Sequence, residues 1–111
     1  MAHITGGGLA ENVPRMLGPD QCAVIDARSW PLPPVFAWLA EAGGLTASEL
    51  ARTFNTGIGM VMAVSADDAE HVIADLTSAG ETVYRIGTIE DRSGAAASEL
   101  TNTEIAWSCC V

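Results

Sequence analysis

Basic residues are scarce in this sequence, and lysine is absent. The five basic residues are all arginines, at positions 15, 28, 52, 85 and 92. The chain therefore cannot supply a Schiff-base lysine or the lysine of a Walker-type phosphate loop. Fourteen acidic residues give a formal net charge of −9, which repels nucleic-acid backbones and anionic lipid surfaces. We therefore predict no nucleic-acid partner and no membrane partner, and any phosphate contact must come from arginine or backbone N–H groups.

Cysteines and long apolar runs are also few. Cys22, Cys109 and Cys110 are odd in number and lack Cys-x-x-Cys spacing, which favours unpaired thiols in a reducing compartment. No group of His, Cys or Asp has the spacing of metal ligands, so we expect no metal site within the chain. No apolar run approaches the ~20 residues of a membrane span, and residues 1–30 lack a signal-peptide pattern. These features predict a cytoplasmic location.

Hydrophobic periodicity predicts an α/β (α+β) fold, with a mixed or largely antiparallel sheet of three to five strands and helices packed on it. The length of 111 residues suits one small domain. Strands or extended segments are predicted at 2–8, 22–25, 58–64 and 83–89, and helices at 9–17, 35–42, 47–54 and 66–79. Both alternating faces of 58–64 are apolar, which indicates a strand covered on both sides.

The remaining predictions concern the end of the chain and two helix faces. Residues 1–90 are expected to form a partial domain, and residues 91–111 a loop or tail. Within it, 91–103 lacks any period, and 104–107 is a possible edge strand. Phe36, Trp38 and Leu39 recur at helical spacing and are predicted to be core residues, whereas His71 is predicted to face solvent.

Three sequence blocks carry a family resemblance. The first runs from Ala2 through the glycine triplet 6–8 to Arg15, the second from Trp30 to Gly43, and the third is Arg-Thr-Phe-Asn-Thr-Gly-Ile-Gly-Met at 52–60. In content, order and spacing they resemble the aminoimidazole ribonucleotide synthetase (phosphoribosylformylglycinamidine cyclo-ligase) family, over roughly residues 2–90. The glycine triplet alone is shared by a wider superfamily, and the other two blocks narrow the choice to the cyclo-ligase.

The resemblance implies the fold of that family's C-terminal domain and a role in de novo purine biosynthesis. The family's enzyme uses ATP to convert formylglycinamidine ribonucleotide to aminoimidazole ribonucleotide. In the family this enzyme is a homodimer, and its N-terminal domain provides most of the contacts with ATP and Mg²⁺. We therefore expect the chain to be a C-terminal fragment that lacks this N-terminal domain and is inactive alone. Two alternatives remain: a stand-alone module that binds phosphate or another anion, and a non-catalytic structural fragment.

The first block contains the candidate site residues. His3 is the predicted catalytic residue, because an imidazole beside a glycine turn can donate to a phosphoryl or formyl oxygen, or move the proton released on ring closure. The predicted substrate- or phosphate-binding residues are Thr5, Gly6, Gly7, Gly8, Asn12 and Arg15. The residues alone also allow a structural interpretation. His3 is then a surface or packing histidine, the glycine triplet an ordinary tight turn, and Arg15 a solvated arginine.

Overall fold

A computed structural model of the chain describes residues 1–94 and 96–107. The strands are β1 (Ala2–His3), β2 (Gln21–Asp26), β3 (Met60–Val61), β4 (Gly87–Asp91) and β5 (Ser98–Thr101). The α-helices are α1 (Gly8–Asn12), α2 (Pro34–Gly43), α3 (Ala47–Thr53), α4 (Ala69–Ser78) and α5 (Thr103–Ala106), and two 3₁₀ helices cover Val13–Met16 and Ala27–Ser29. Within this part of the chain, no helix is both long and apolar enough to cross a membrane.

The strands form two small sheets. β1 pairs antiparallel with β3, with Ala2 opposite Val61 and His3 opposite Met60. β2 lies at the centre of a second sheet, antiparallel to β4 and parallel to β5. Mixed pairing with helices confirms the predicted α+β class, although the expected strands are divided between two sheets instead of forming one.

Two helix boundaries follow from local sequence signals. Pro34 occupies the first turn of α2, where its missing N–H costs nothing. The helix ends at Gly44, whose φ of 64° is left-handed and whose N–H donates to the Ala40 carbonyl. At the start of α3, the Thr46 hydroxyl accepts a hydrogen bond from the Glu49 N–H at 3.2 Å. The sequence predicted both helices.

The core lies where α1, α3 and β2 meet the two ends of the described chain. Its buried side chains include Ile4, Leu9, Val13, Ile25, Trp30, Leu50, Ile58 and Trp107. Trp30 and Trp107 pack edge to face, with ring centroids 6.2 Å apart and planes inclined by 67°. The segment around Trp107 is therefore part of the core.

Two predictions about helix faces have different outcomes. His71 is exposed and lies 3.3 Å from the Asp75 carboxylate one turn along α4, so the prediction of a solvent-facing histidine is confirmed. The prediction for Trp38 is wrong, because its side chain is 63% exposed. Ala40 is the buried residue of α2, and a residue two positions away lies on the opposite side of a helix.

The predicted strand at 58–64 is much shorter in the structure. Only Met60–Val61 pairs, and Met60, Met62 and Val64 are exposed, so the prediction of a strand covered on both sides is wrong for the chain by itself. The strand predicted at 83–89 is shifted to Gly87–Asp91, because it pairs with β2 at that register.

The last part of the chain is more ordered than predicted. Ser98–Thr101, predicted as loop, is strand β5, held by parallel pairing with residues 23–26. Residues 103–106 form α5, so the edge strand proposed at 104–107 is wrong. The Ala106 N–H donates to the Asn102 carbonyl and starts a helical turn instead. Cys22 is buried with a free thiol, whereas Cys109 and Cys110 lie outside the described residues.

Candidate functional site

The glycine triplet forms a tight turn between β1 and α1, here called the glycine turn (residues 5–8). Gly7 and Gly8 adopt φ values of 96° and 68°, which side chains rarely tolerate, and the Gly8 N–H donates to the Thr5 carbonyl at 3.0 Å. Gly6 is exposed, with no atom within 4 Å of the place a Cβ would take. The backbone of the turn is therefore accessible to solvent at Gly6.

The other two glycines of the turn contact protein atoms. A Cβ on Gly8 would collide with the Ala51 carbonyl oxygen and lie 2.9 Å from that of Phe54, so this glycine lets α1 approach the end of α3. A Cβ on Gly7 would collide with the Glu11 carboxyl group. The glycine turn thus has an acidic side chain against one side, which opposes an anion placed there.

Asn12 stabilises the glycine turn from the buried side of the turn. Its side chain is 1% exposed, and its Nδ2 donates to the Gly8 carbonyl at 2.8 Å and to the Gly6 and Thr5 carbonyls at 3.3 Å each. Its Oδ1 accepts a hydrogen bond from the Thr5 hydroxyl at 3.3 Å. Because these bonds occupy its amide, Asn12 shapes the turn from within the protein.

The three sequence blocks meet at residues 54–60. The Ile4 N–H donates to the Gly59 carbonyl at 2.9 Å, which joins the first block to the third. The buried Trp30 Nε1 donates to the Thr56 carbonyl at 3.0 Å, which joins the second block to the third. Residues far apart in the sequence are therefore fixed around one loop beside the glycine turn.

That loop contains a backbone conformation that sequence reasoning missed. Thr56 is 1% exposed and has a φ of 54°, which is unusual for a β-branched residue. Gly57 follows at φ 102°, and its N–H donates to the Asn55 side chain at 2.9 Å. Asparagine tolerates left-handed backbone better than threonine, yet this conformation belongs to Thr56 and Gly57 and not to Asn55. The Trp30 hydrogen bond is the tertiary contact that holds this arrangement, and no local sequence signal indicates it.

His3 and Arg15 both lie at the surface of the protein. His3 is an exposed residue of β1, between the buried Ala2 and Ile4. Arg15 is exposed in the 3₁₀ helix that continues α1, and makes no hydrogen bond with another described residue. The structure thus brings Thr5, the glycines and Asn12 into one unit, and leaves His3 and Arg15 accessible to solvent.

A separate polar cluster fixes the end of β2. Arg28 donates from its backbone N–H and its guanidinium to the Asp26 carboxylate, at distances of 2.9 to 3.3 Å, and Asn102 donates to the same carboxylate at 3.1 Å. The hydrogen bonds from Arg28 hold the pKa of Asp26 well below its ordinary value near 3.8, and raise the pKa of Arg28. Through Asn102, this cluster ties the segment that follows β5 to the end of β2, and so stabilises the fold.

The described residues do not provide a metal centre. Within residues 1–94 and 96–107, no three His, Cys, Asp or Glu side chains converge so that they could hold an ion. No step of the chemistry is therefore assigned to a metal held by the described residues alone.

Comparison with known proteins gives the family. The profile described as "AIR synthase related protein, C-terminal domain" matches residues 1–98. The chain is 57% identical over 97 residues to the phosphoribosylformylglycinamidine cyclo-ligase of Burkholderia ambifaria, covering 86% of this chain and 28% of that protein. It is 58% identical over 95 residues to the bifunctional purine biosynthetic protein ADE1 of Schizosaccharomyces pombe, covering 86% of this chain and 12% of that protein. The chain thus spans 28% or less of the length of these relatives. The region that matches the family profile, residues 1–98, holds all three sequence blocks. The chain belongs to the family of AIR synthase related proteins and corresponds to their C-terminal domain.

Proposed function

We propose that the chain supplies the C-terminal part of an ATP-dependent phosphoribosylformylglycinamidine cyclo-ligase of purine biosynthesis. The observation that carries this proposal is the convergence of all three sequence blocks on the glycine turn and residues 54–60. The 57% identity to a relative named for this reaction supports the same activity. We propose that polypeptide outside the matched region supplies the rest of the enzyme, including its contacts with ATP and Mg²⁺. The complete enzyme is proposed to be a cytoplasmic homodimer.

The residues of the glycine turn are proposed to bind a phosphate of the phosphoribosyl substrate. Gly6 offers an exposed backbone without a Cβ, so an anion can approach the N–H groups of the turn closely. Thr5 is proposed to contribute its backbone N–H, because its hydroxyl already donates to Asn12 Oδ1. Arg15 adds an accessible guanidinium that suits bidentate contact with phosphate. Asn12 contributes by holding the turn in shape, since its own amide is already hydrogen-bonded.

His3 is proposed to act on the reacting atoms. ATP, when bound to the complete enzyme, supplies the phosphoryl group that activates the formyl oxygen. The exposed imidazole of His3 would donate a hydrogen bond to the oxygen on which charge develops, or accept the proton that the ring-closing nitrogen releases. Either role stabilises the transition state more than the bound substrate, and so affects turnover more than affinity.

The test uses a reconstituted enzyme, defined as the Burkholderia ambifaria relative with this chain in place of its matching residues. His3→Ala should lower the turnover number roughly a hundredfold, which corresponds to the ~3 kcal/mol of a lost transition-state donor. The melting temperature should be unchanged, because the side chain is exposed. His71→Ala is the matched control, because His71 is also exposed, on α4, and the substitution should leave both quantities unchanged. Unaltered turnover in His3→Ala would remove His3 from the reaction.

The isolated chain tests the alternative of a stand-alone anion-binding module. Gly6 is accessible without any partner, which favours this second function. Titration with inorganic pyrophosphate, followed by calorimetry, should show binding that Glu11→Gln strengthens, because the Glu11 carboxyl lies against the glycine turn. Cyclo-ligase turnover by the isolated chain above background would contradict the need for additional polypeptide.

A further inference from the structure

One loop of the protein holds a backbone conformation that its own sequence does not favour. Thr56 has a φ of 54° and Gly57 a φ of 102°, and Thr56 is buried. A β-branched residue rarely adopts left-handed backbone, and such a conformation persists only where the surrounding structure fixes it. We call residues 55–59 the left-handed loop. Backbone strain of this kind clusters at sites that must be held in one geometry.

Two contacts from the second sequence block fix the left-handed loop. The indole N–H of Trp30 donates to the Thr56 carbonyl at 3.0 Å, and both residues are buried. A Cβ on Gly57 would lie 2.6 Å from the Cδ of Pro33, so the Pro33 ring packs directly against the Gly57 backbone. The loop therefore takes its shape from residues that are distant in the sequence.

The left-handed loop in turn fixes the segment that carries His3. The Ile4 N–H donates to the Gly59 carbonyl at 2.9 Å, and His3 lies opposite Met60 in the pairing of β1 with β3. This pairing covers only two residues, and the described strands give β1 no partner other than β3. The backbone position of His3 thus depends on residues 59–61, where the loop ends, and a shift of the loop moves His3 with it.

The glycine turn is held by different contacts. Asn12 donates to three carbonyls of the turn, and Gly8 packs against the backbone at the end of α3. These contacts involve neither Trp30 nor the left-handed loop. A change in the loop should therefore affect the position of His3 more than the proposed phosphate-binding turn.

We propose that Trp30 is a positioning residue for His3. Its hydrogen bond to the Thr56 carbonyl fixes the left-handed loop, and the loop fixes the strand segment from which His3 reaches the substrate. This role of Trp30 rests on the proposed function, in which His3 acts on the reacting atoms. The link between Trp30 and the segment of His3 is also measurable without turnover, so the two can fail separately.

Turnover of the reconstituted enzyme gives the first test. Trp30→Phe keeps a ring in the core but removes the donor to Thr56, and should lower the turnover number about tenfold or more, because a small misplacement of a reacting group is costly. The KM for the phosphoribosyl substrate should change less than about twofold, because the glycine turn stays in place. In the His3→Ala background, Trp30→Phe should lower turnover no further, because it acts through His3. An additional tenfold loss in the double variant, as an order of magnitude, would overturn the proposal.

Trp107→Phe is the matched control. Trp107 is buried and packs edge to face on Trp30, but its Nε1 makes no hydrogen bond with another described residue. The substitution removes the same part of an indole ring from the same core, and should leave the turnover number within about twofold of the parent. An equal loss of turnover in both variants, measured where circular dichroism shows both to be folded, would mean that core packing alone matters and would overturn the proposal.

Amide exchange in the isolated chain gives a readout that does not depend on turnover. In Trp30→Phe the Ile4 N–H should exchange about tenfold faster relative to the Ala23 N–H, which donates to the Ala97 carbonyl in the other sheet. This ratio cancels any change in global stability, and it should stay constant in Trp107→Phe. An unchanged ratio in Trp30→Phe would overturn the proposal. A raised ratio together with an inactive reconstituted enzyme would contradict only the proposed function.

A second variant disturbs the same loop without changing Trp30. Pro33→Ala removes the ring that packs against Gly57, and should also raise the exchange ratio of Ile4 and lower the turnover number. His3→Ala should again abolish the effect on turnover. Pro33→Ala decides the proposal if Trp30→Phe does not fold, and no change in either quantity would then overturn it.

Discussion

Gly8→Ala should destabilise the chain much more than alanine at Gly6 or Gly44. Gly8 has a φ of 68°, and left-handed backbone costs a residue with a Cβ about 1–2 kcal/mol. The new Cβ would also meet the Ala51 carbonyl and lie 2.9 Å from the Phe54 carbonyl oxygen. These are backbone atoms at the end of α3 and cannot rotate aside, so α1 and α3 must separate, at an overpacking cost of about 1–3 kcal/mol. The expected total is about 2–5 kcal/mol, a large part of the stability of a small domain.

Two other glycines separate these contributions. Gly44 has a φ of 64° but no atom within 4 Å of a Cβ, so Gly44→Ala measures the backbone strain alone, about 1–2 kcal/mol. Gly6 has neither a positive φ nor a close neighbour, and Gly6→Ala should change stability by less than about 0.5 kcal/mol. Urea unfolding followed by far-UV circular dichroism gives all three values. If Gly8→Ala costs no more than Gly44→Ala, the close approach of α1 to α3 is not what requires glycine.

Three further predictions concern hydrogen bonds seen in the structure. Asn12→Ala should lower the free energy of unfolding by about 2–4 kcal/mol, because it leaves a cavity and deprives the Gly8 carbonyl of its donor; an unchanged urea midpoint would contradict this. Trp30→Phe keeps a buried ring but removes the bond to Thr56, and should cost about 1–2 kcal/mol on the same assay. The pKa of Asp26 is lowered in the folded chain, so its carboxylate stabilises the fold at neutral pH, and this contribution is lost as pH falls below the ordinary value near 3.8 toward the folded pKa. Asp26→Asn should therefore be less stable than the parent at pH 7 and should approach it in strong acid; a constant difference across this range would argue against the ion pair with Arg28.

The parts of the fold that sequence predicted are those with local signals. Pro34 and Gly44 bound α2, and Thr46 begins α3, because helix ends depend on residues within one turn of them. The class of the fold followed from the same reasoning together with the family resemblance.

The parts that sequence missed depend on distant partners. β5 has the sequence Ser-Glu-Leu-Thr, which lacks an apolar alternation, and it is a strand because β2 lies beside it. Residues 104–107 are too few to separate helix from strand by periodicity, and Asn102 at φ 62° begins a helical turn there. Only Met60–Val61 of the strand predicted at 58–64 pairs, because β1 opposite it spans just two residues.

The candidate site shows the same division. The glycine turn was recognisable in the sequence, but the role of Asn12 within it was not, because its partners depend on how α1 folds back over residues 5–8. The left-handed Thr56 also has no sequence signature, since its conformation is held by a hydrogen bond from Trp30, 26 residues away.

The edge-to-face pair of Trp30 and Trp107 should give the chain a spectroscopic signal that depends on an intact core. Two indole rings with centroids 6.2 Å apart and fixed at 67° should couple their electronic transitions and give a strong near-UV circular dichroism band. The third tryptophan, Trp38, is 63% exposed, so iodide should quench its fluorescence without changing that circular dichroism band. Loss of the near-UV band with retention of the far-UV spectrum would therefore report that the segment of Trp107 has left the core while the helices and sheets remain.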